Sequence, residues 1–289
     1  MISRNRMRAL DLARDTRFLT ALAHRAKRVP MTDRPSVHHA AAKGFAAAAE
    51  AYQRARPDYP PTLAEWLRSE LGLAPGRVAV DLGAGTGKFT PLLSATGARV
   101  IAVEPVEAMR AELVAAHPNV EALAGEAERL PLGDALVDAI VCAQSFHWFA
   151  KPAVLAEMRR ALRPGGALAL VWNVRDERIA WVMALTKILD RHQGDAPRHE
   201  RGQWRALFPA PGFTPLSERR FAYKHVGPPE RVIVERAMSV SFIAALPADQ
   251  QARVAGDVRA LIAATPSLAG RREVAFPYLT HAYACRRVD

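Results

Sequence analysis

One short stretch constrains this chain more than any other. Val78-Ala79-Val80-Asp81-Leu82 is an apolar run interrupted by a single acid, and Gly83-Ala84-Gly85-Thr86-Gly87 follows at once. A run of this length fits a buried strand. Glycines directly after it let the backbone turn sharply and approach a ligand with no Cβ in the way. The helix expected next, over Lys88 to Thr96 and closed by Gly97, would offer unpaired N–H groups at its start.

The same rhythm continues downstream. Arg99 to Glu104 reads as a second strand, Val106 to Ala116 as a helix, Asn119 to Leu123 as a third strand and Val137 to Ala143 as a fourth. Lys151 to Leu162 reads as a helix stopped by Pro164-Gly165-Gly166, and Ala167 to Trp172 as a fifth strand. Strands alternating with helices of this length predict an α/β fold, a mostly parallel sheet with helices on both faces. Upstream, a helix is expected from about Ala40 to Arg54, then a proline-rich break at Arg56 to Pro61, then a helix over Leu63 to Leu71 capped by Thr62 and ended by Gly72. Beyond the fifth strand, residues 176–210 and 229–270 read as helical insertions, the second broken at Pro247. Phe213 to Val226 and Phe276 to Arg287 read as further strands.

Ligands on parallel sheets bind outside the carboxyl ends of the strands, so those ends are where a site is sought. The loop fails two common templates. A Walker loop needs G-x-x-x-x-G-K-[ST], but Leu82 stands five residues before Gly87, and Gly87-Lys88 is followed by Phe89. A dinucleotide fingerprint needs its third glycine at position 88, which is Lys88, so a nicotinamide-dependent oxidoreductase is disfavoured. Glu104 closes the second strand. A carboxylate there is placed to accept two hydrogen bonds from a ribose diol.

Composition narrows the function classes. The net charge is +11, but residues 1–30 carry +6 of it, leaving the remainder only mildly basic. That does not read as a nucleic-acid surface. The basic segment lacks the apolar stretch of a secretory signal. Three readings of it stay open: an upstream extension with the start at Met31, a packed accessory helix, or a tether to an anionic surface. No apolar run is long enough to span a membrane. Two cysteines, Cys142 and Cys285, are too few for a disulfide scaffold or a cysteine metal site, and the expectation is reduced core thiols in a cytoplasmic protein. His38, His39, His192 and His199 lack ligand spacing, so no metal is expected.

Four motifs, taken together, resemble a known family. They are Val80-Asp81-Leu82-Gly83-Ala84-Gly85-Thr86-Gly87, Val103-Glu104-Pro105, Ala127-Glu128-Arg129-Leu130-Pro131 and Leu162-Arg163-Pro164-Gly165-Gly166. Their order and spacing resemble a class I S-adenosylmethionine-dependent methyltransferase of the methyltransferase type 11 kind, over about Phe45 to Arg287. Tyr52 to Pro60 and Gln144 to Phe149 resemble, more finely, the trans-aconitate methyltransferase type. The resemblance implies a Rossmann-like seven-stranded sheet with an antiparallel last strand, in a domain over residues 39–289 with its core at 76–175, and a basic extension at 1–38. It implies S-adenosyl-L-methionine as cofactor. By carry-over, Gly83, Ala84, Gly85 and Thr86 would meet its methionine end, Asp81 its ammonium, and Gln144 would offer a carbonyl near that ammonium. Glu104 would take the ribose, Val106 and Met109 would flank the adenine, and Glu126 and Ala127 would meet its amino group and ring.

On the acceptor side the candidates are His147 and Trp148 after the fourth strand and Trp172, Asn173 and Arg175 after or within the fifth, with Tyr52, Arg54, Arg56 and Tyr59 in a lid. His147 is either a general base for a hydroxyl acceptor or an orienting residue, since a carboxylate acceptor needs no base. The resulting expectation is methyl transfer to a small molecule, by O-methylation of a carboxylate or hydroxyl. A nucleic-acid methyltransferase is the alternative. Gln144-Ser145-Phe146-His147 is not the Asn/Asp-Pro-Pro-aromatic motif of amino-methylating enzymes, and Cys142 lies within a strand, poorly placed as a nucleophile. A catalytically silent cofactor-binding protein is the other alternative.

Overall fold

The computed structural model describes residues 56–194 and 202–289. The expected helix over Ala40 to Arg54, the basic extension, Tyr52 and Arg54 lie outside the described residues. In chain order the elements are α1 (Leu63–Leu71), β1 (Val78–Leu82), α2 (Thr90–Ser94), β2 (Arg99–Val103), α3 (Glu107–Ala116), β3 (Glu121–Leu123), β4 (Val137–Ala143), α4 (Pro152–Ala161), β5 (Leu162–Arg175), α5 (Ala180–Asp190), β6 (Ser217–Gly227), α6 (Arg236–Met238), α7 (Ser241–Ala244), α8 (Ala248–Ala264) and β7 (Val274–Arg286). A π-helical segment, Glu230–Glu235, runs into α6.

All seven strands form one sheet in the order β3-β2-β1-β4-β5-β7-β6. β1 to β5 pair in parallel, and β7 is antiparallel to both β5 and β6. This is the Rossmann-like sheet, with the antiparallel last strand that the motifs implied. The order reverses between β1 and β4, and a crevice opens at such a switch point.

Alternation of side chains along each central strand divides its residues between two cores. Val80, Ile101, Ile140, Leu168 and Leu170 face one layer, packed on Val154, Leu155 and Met158 of α4. Ala79, Val100, Ala139, Val141 and Ala169 face the other, packed on Leu63, Trp66 and Leu67 of α1. A third cluster forms where α5, α8 and the π-helical segment pack over Val274, Phe276 and Tyr278 of β7. The helical insertions thus gather at one end of the sheet.

Several boundaries differ from the sequence reading. α2 covers only Thr90–Ser94. β5 begins at Leu162, with its register against β4 shifting between Val137 and Ala139, so the Pro164-Gly165-Gly166 turn sits inside the strand rather than before it. β6 starts at Ser217, and Phe213 makes only an isolated bridge to Arg287. Thr62 makes no side-chain cap. Backbone bonds do that work instead, Leu63 N–H donating to Pro60 O at 3.0 Å and Ala64 N–H to Pro61 O at 3.0 Å. Gly72 ends α1 in the left-handed region, as expected.

At the edge opposite the loop, Asp138 clasps three strands. Its Oδ2 accepts from Val78 N–H at 2.8 Å and its Oδ1 from Arg77 at 3.0 Å and Arg163 at 2.9 Å. Asp138→Ala leaves the Val78 N–H unpaired and is expected to lower stability by about 1–3 kcal/mol without altering ligand affinity. Chemical denaturation beside a cofactor titration checks both halves, and weakened cofactor binding would contradict this division of labour.

Candidate functional site

The glycine loop is stitched to the neighbouring strand before any ligand arrives. Gly83 N–H donates to Val103 O at 2.8 Å and Ala84 N–H to the same oxygen at 3.3 Å. Gly83 has φ +67°, and a Cβ there would lie 2.7 Å from the Ser145 Cβ. Ser145 is itself fixed, its hydroxyl donating to Leu82 O at 2.7 Å. The loop therefore lies flat against the end of β4 only because residue 83 has no side chain.

Glu104, 5% exposed, ties this loop to the next helix. Its Oε2 accepts from Gly85 N–H at 2.9 Å and its Oε1 from Val106 N–H at 2.9 Å. Burial holds its carboxyl above the usual range, opposed by those two bonds and by Arg110. Asp81 lies beneath the loop, fully buried. Thr90 donates to its Oδ2 at 2.7 Å, while Oδ1 has no partner. Burial, only partly offset by Thr90 and reinforced by nearby Glu104, pushes its pKa up to about 7.

Around these groups a cleft encloses about 1180 Å³, counting its solvent-open mouth. Of the sequence-predicted residues, Gly83, Ala84, Gly85, Thr86, Glu104, Val106, Met109, Glu126, Ala127 and Gln144 line it, as do Arg56, Tyr59, Trp148 and Asn173. Four others do not. Asp81 is shut under the loop. Trp172 stacks on Trp204 at 4.7 Å in the core, and its indole N–H donates to His147 Nδ1 at 3.1 Å, holding that ring away from the cleft. In a neutral ring this places the proton on Nε2. Arg175 is buried against α5, its Nε donating to Thr186 Oγ1 at 3.0 Å. Asn173, though at the cleft wall, is occupied: it donates to Asp58 O at 3.0 Å and accepts from Thr280 at 2.5 Å.

The strap at residues 56–59 closes the cleft. Besides Asn173, it is held by Lys88 to Asp58 at 2.7 Å, by Arg56 to Ser239 O at 3.0 Å and by a Tyr59–Phe89 edge contact at 4.8 Å. Sequence reading passed over Lys88, Phe89, Ser145 and Arg236 as cleft residues. For Arg236 the available signal was the pair Glu235-Arg236 inside the otherwise apolar run Val232 to Met238. Cys142 and Cys285 are buried free thiols, and burial pushes Cys285 up to about 12. Among the described residues, no group of three or more His, Cys, Asp or Glu side chains could hold a metal, and no helix is long and apolar enough to cross a membrane.

Comparison with known proteins decides the family. A family model described as a methyltransferase domain matches residues 80–170. An uncharacterized methyltransferase of Mycobacterium tuberculosis is 40% identical over 236 residues, 82% of this chain and 92% of the relative. The chain belongs to the class I S-adenosylmethionine-dependent methyltransferases. An uncharacterized methyltransferase-like protein of Schizosaccharomyces pombe is 35% identical over 237 residues, 82% of this chain and 92% of its own. A solved structure from Anaeromyxobacter dehalogenans, provisionally named a type II methyltransferase, is 28% identical with a TM-score of 0.57, covering 81% of this chain and 98% of that one. Haemonchus contortus phosphoethanolamine N-methyltransferase 2, solved with phosphomonomethylethanolamine and S-adenosylhomocysteine, shares the fold at 13% identity and TM-score 0.55, over 90% of this chain and 62% of that one. The narrower trans-aconitate resemblance is not confirmed by these relatives.

The cofactor of this methyltransferase is S-adenosylmethionine, and the cleft suits it. Asp81 Oδ1 and Thr86 Oγ1 are buried without hydrogen-bond partners, and the loop offers a cradle that a Cβ at residue 83 would disturb. Gly83→Ala is expected to weaken cofactor binding at least tenfold, read by calorimetry, because both its φ and its contact with Ser145 oppose a side chain.

Asp81 also makes a pH prediction. Its carboxyl holds a proton up to about 7 in the folded protein and only to 3.8 otherwise. Between these values the folded state binds more protons, so stability falls as pH rises from about 4 to about 7. At 1.36 kcal/mol per pKa unit the loss is roughly 4 kcal/mol at most. Asp81→Asn should remove this slope in cofactor-free protein. An identical pH dependence of melting in the variant would show that Asp81 does not titrate there.

Proposed function

We propose that this methyltransferase transfers a methyl group to an oxygen of a small acceptor, with a carboxylate favoured over a hydroxyl. The observation that carries this reading is the make-up of the cleft beyond the cofactor cradle. Tyr59, Phe89, Trp148 and Phe149 wall it, and no histidine lines it among the described residues. The carboxylates that do line it, Glu104, Glu126 and Glu128, come from the ends of β2 and β3. A hydroxyl acceptor must lose a proton to a base within reach, whereas a carboxylate arrives already ionised. The fixed Trp172–His147 contact also weighs against His147 as that base. An aromatic cleft roofed by the chain's own strap suits a small acceptor better than a polymer, and most of the basic surplus that prompted a nucleic-acid reading lies in residues 1–30.

Bound S-adenosylmethionine supplies an electrophilic methyl on a sulfonium, and the protein supplies orientation. In this reading, Glu104 uses its remaining lone pairs for the ribose hydroxyls. Val106 and Met109 flank the adenine, with Glu126 at its amino group and the Ala127 N–H at the ring. Gly83, Ala84, Gly85 and Thr86 cradle the methionine end. Asp81 would steer the ammonium directly or through water, and the Gln144 carbonyl would lie near the same charge. Gln144 has φ +59°, a strained position for a residue with a side chain, and its side-chain amide donates to Asn173 O at 3.2 Å. Trp148 belongs to the acceptor wall. The strap, with Arg56 and Tyr59, excludes water once closed, which favours a pre-aligned acceptor.

Calorimetric titration with S-adenosylmethionine, S-adenosylhomocysteine and NAD tests the cofactor half. The first two should bind and NAD should not, and Glu104→Ala should weaken binding about tenfold or more. Methyl transfer from labelled cofactor to matched aromatic acids, phenols and bulk RNA tests the acceptor half. Turnover of acids is the expected result, and turnover of RNA alone would overturn it.

A further inference from the structure

Arg236 is buried in the cleft wall, and its guanidinium meets no acidic partner among the described residues. The side chain is only 8% exposed. Its Nε is buried with no hydrogen bond, and its Nη1 contact to Ser239 Oγ is long, at 3.4 Å. The Ser239 hydroxyl donates to Arg236 O at 2.8 Å, so its oxygen can accept from that Nη1 but brings no negative charge. On its own segment Val232, Ile233, Val234 and Ala237 are buried and apolar, while the adjacent Glu235 is exposed to solvent. Asp58, an acid on the nearby strap, already pairs with Lys88. Isolated buried charges are costly, and buried arginines are ordinarily paired.

Its place in the fold is equally specific. Arg236 opens α6 directly after the π-helical segment Glu230–Glu235. A single π turn inside a helix changes which way the following side chains point, and such turns concentrate at functional sites. Here the side chain lines the same cleft as the glycine loop. The charges of that cleft are segregated. Its carboxylates come from the β2 and β3 ends, while Arg56, Lys88 and Arg236 line the part formed by the strap, the start of α2 and the helical roof. Arg56 and Lys88 have protein partners.

We propose that Arg236 recognises the carboxylate of the acceptor, a small acid whose apolar body lies against Tyr59, Phe89 and Trp148. A planar guanidinium with an unused Nε presents the paired donors that a carboxylate accepts. The proposal rests on the small-acid reading above and adds to it the residue that selects the acid. It also accounts for the lack of an internal counter-ion: a carboxylate or glutamate placed there would compete with the ligand.

The test uses the full chain saturated with S-adenosylhomocysteine, with cinnamate, decanoate and tricarballylate as probes and the corresponding amides as uncharged controls. Binding is read by calorimetry and by tryptophan fluorescence. At least one acid should bind, its amide at least tenfold more weakly. Arg236→Gln should weaken that acid at least tenfold, and Arg236→Lys should restore part of the loss. Neither change should alter S-adenosylhomocysteine affinity more than about twofold. The melting temperature of ligand-free Arg236→Gln should equal or exceed that of the wild type, because the substitution removes an unpaired buried charge. A lower melting temperature would mark Arg236 as structural and overturn the proposal. So would an equal loss of S-adenosylhomocysteine binding, which would assign the residue to the cofactor's own carboxylate. Failure of all three acids to bind, or equal binding by acid and amide, would overturn it as well. Normal cofactor binding with turnover of phenols rather than acids would sink the Arg236 assignment while leaving methyl transfer to small molecules intact.

Discussion

Both oxygens of Glu104 are committed to backbone N–H groups, one on the glycine loop and one at the start of α3. This single side chain fixes the distance between the two structures that bound the cofactor half of the cleft. The arrangement needs β1 and β2 in parallel register, with Leu82 beside Val103, because only then do the loop and the acid emerge side by side. It also needs a glycine at 83, since the loop must lie on Ser145. Sheet register, loop conformation and carboxylate position are therefore one constraint. A charge buried to this extent is tolerable because two donors are supplied before the ligand arrives, and an acid with both oxygens held is pre-oriented for a diol.

Asp81 plays the opposite electrostatic part. It is buried more deeply, has one hydrogen bond where Glu104 has two, and feels Glu104 as a like charge. The result is a carboxyl poised near neutrality beneath the loop that, in the proposed reading, holds the cofactor. Glu104 defines geometry, while the Asp81 charge is costly in the empty protein, and in the proposed reading an ammonium above it would offset that cost. Asp81 pairs with Ala102, and Glu104 stands two positions further along, just beyond β2, yet their roles differ because one reaches the cleft and the other does not.

That the glycine loop, Glu104, Val106 and Met109 would line one cleft was legible because those residues are local. Asp81 to Met109 span two consecutive strand–helix units, and parallel crossovers oblige their loops to meet at one edge of the sheet. The acceptor half is assembled from residues 56–59, the ends of β4 and β5, and a helical roof more than 50 residues further on. No sequence spacing reports that meeting. The departures from expectation follow the same line. Trp172 and Asn173 are consecutive on a strand, so they point to opposite faces, and only Asn173 reaches the cleft. Choosing between them required knowing which face β4 and the roof would cover. His147 is held by the indole of Trp172, a contact between the turn after β4 and a residue of β5 that the motif alone did not encode. Thr62 had the right chemistry for a cap, but two prolines before it already held the chain in a turn.

The division has a physical consequence for specificity. The cofactor cradle rests on backbone groups and on a sheet whose central strands are buried on both faces, so it tolerates little change. The acceptor wall hangs on side chains from a strap and a roof, joined by a few contacts: Asn173 to Asp58, Arg56 to Ser239, Lys88 to Asp58. Substitutions in that roof can alter what the cleft accepts without disturbing the register of the sheet beneath it. A buried cation such as Arg236 belongs in that adjustable layer. It is carried by a short helix after a π turn, where one residue's worth of rotation decides whether the charge faces the cleft or the core.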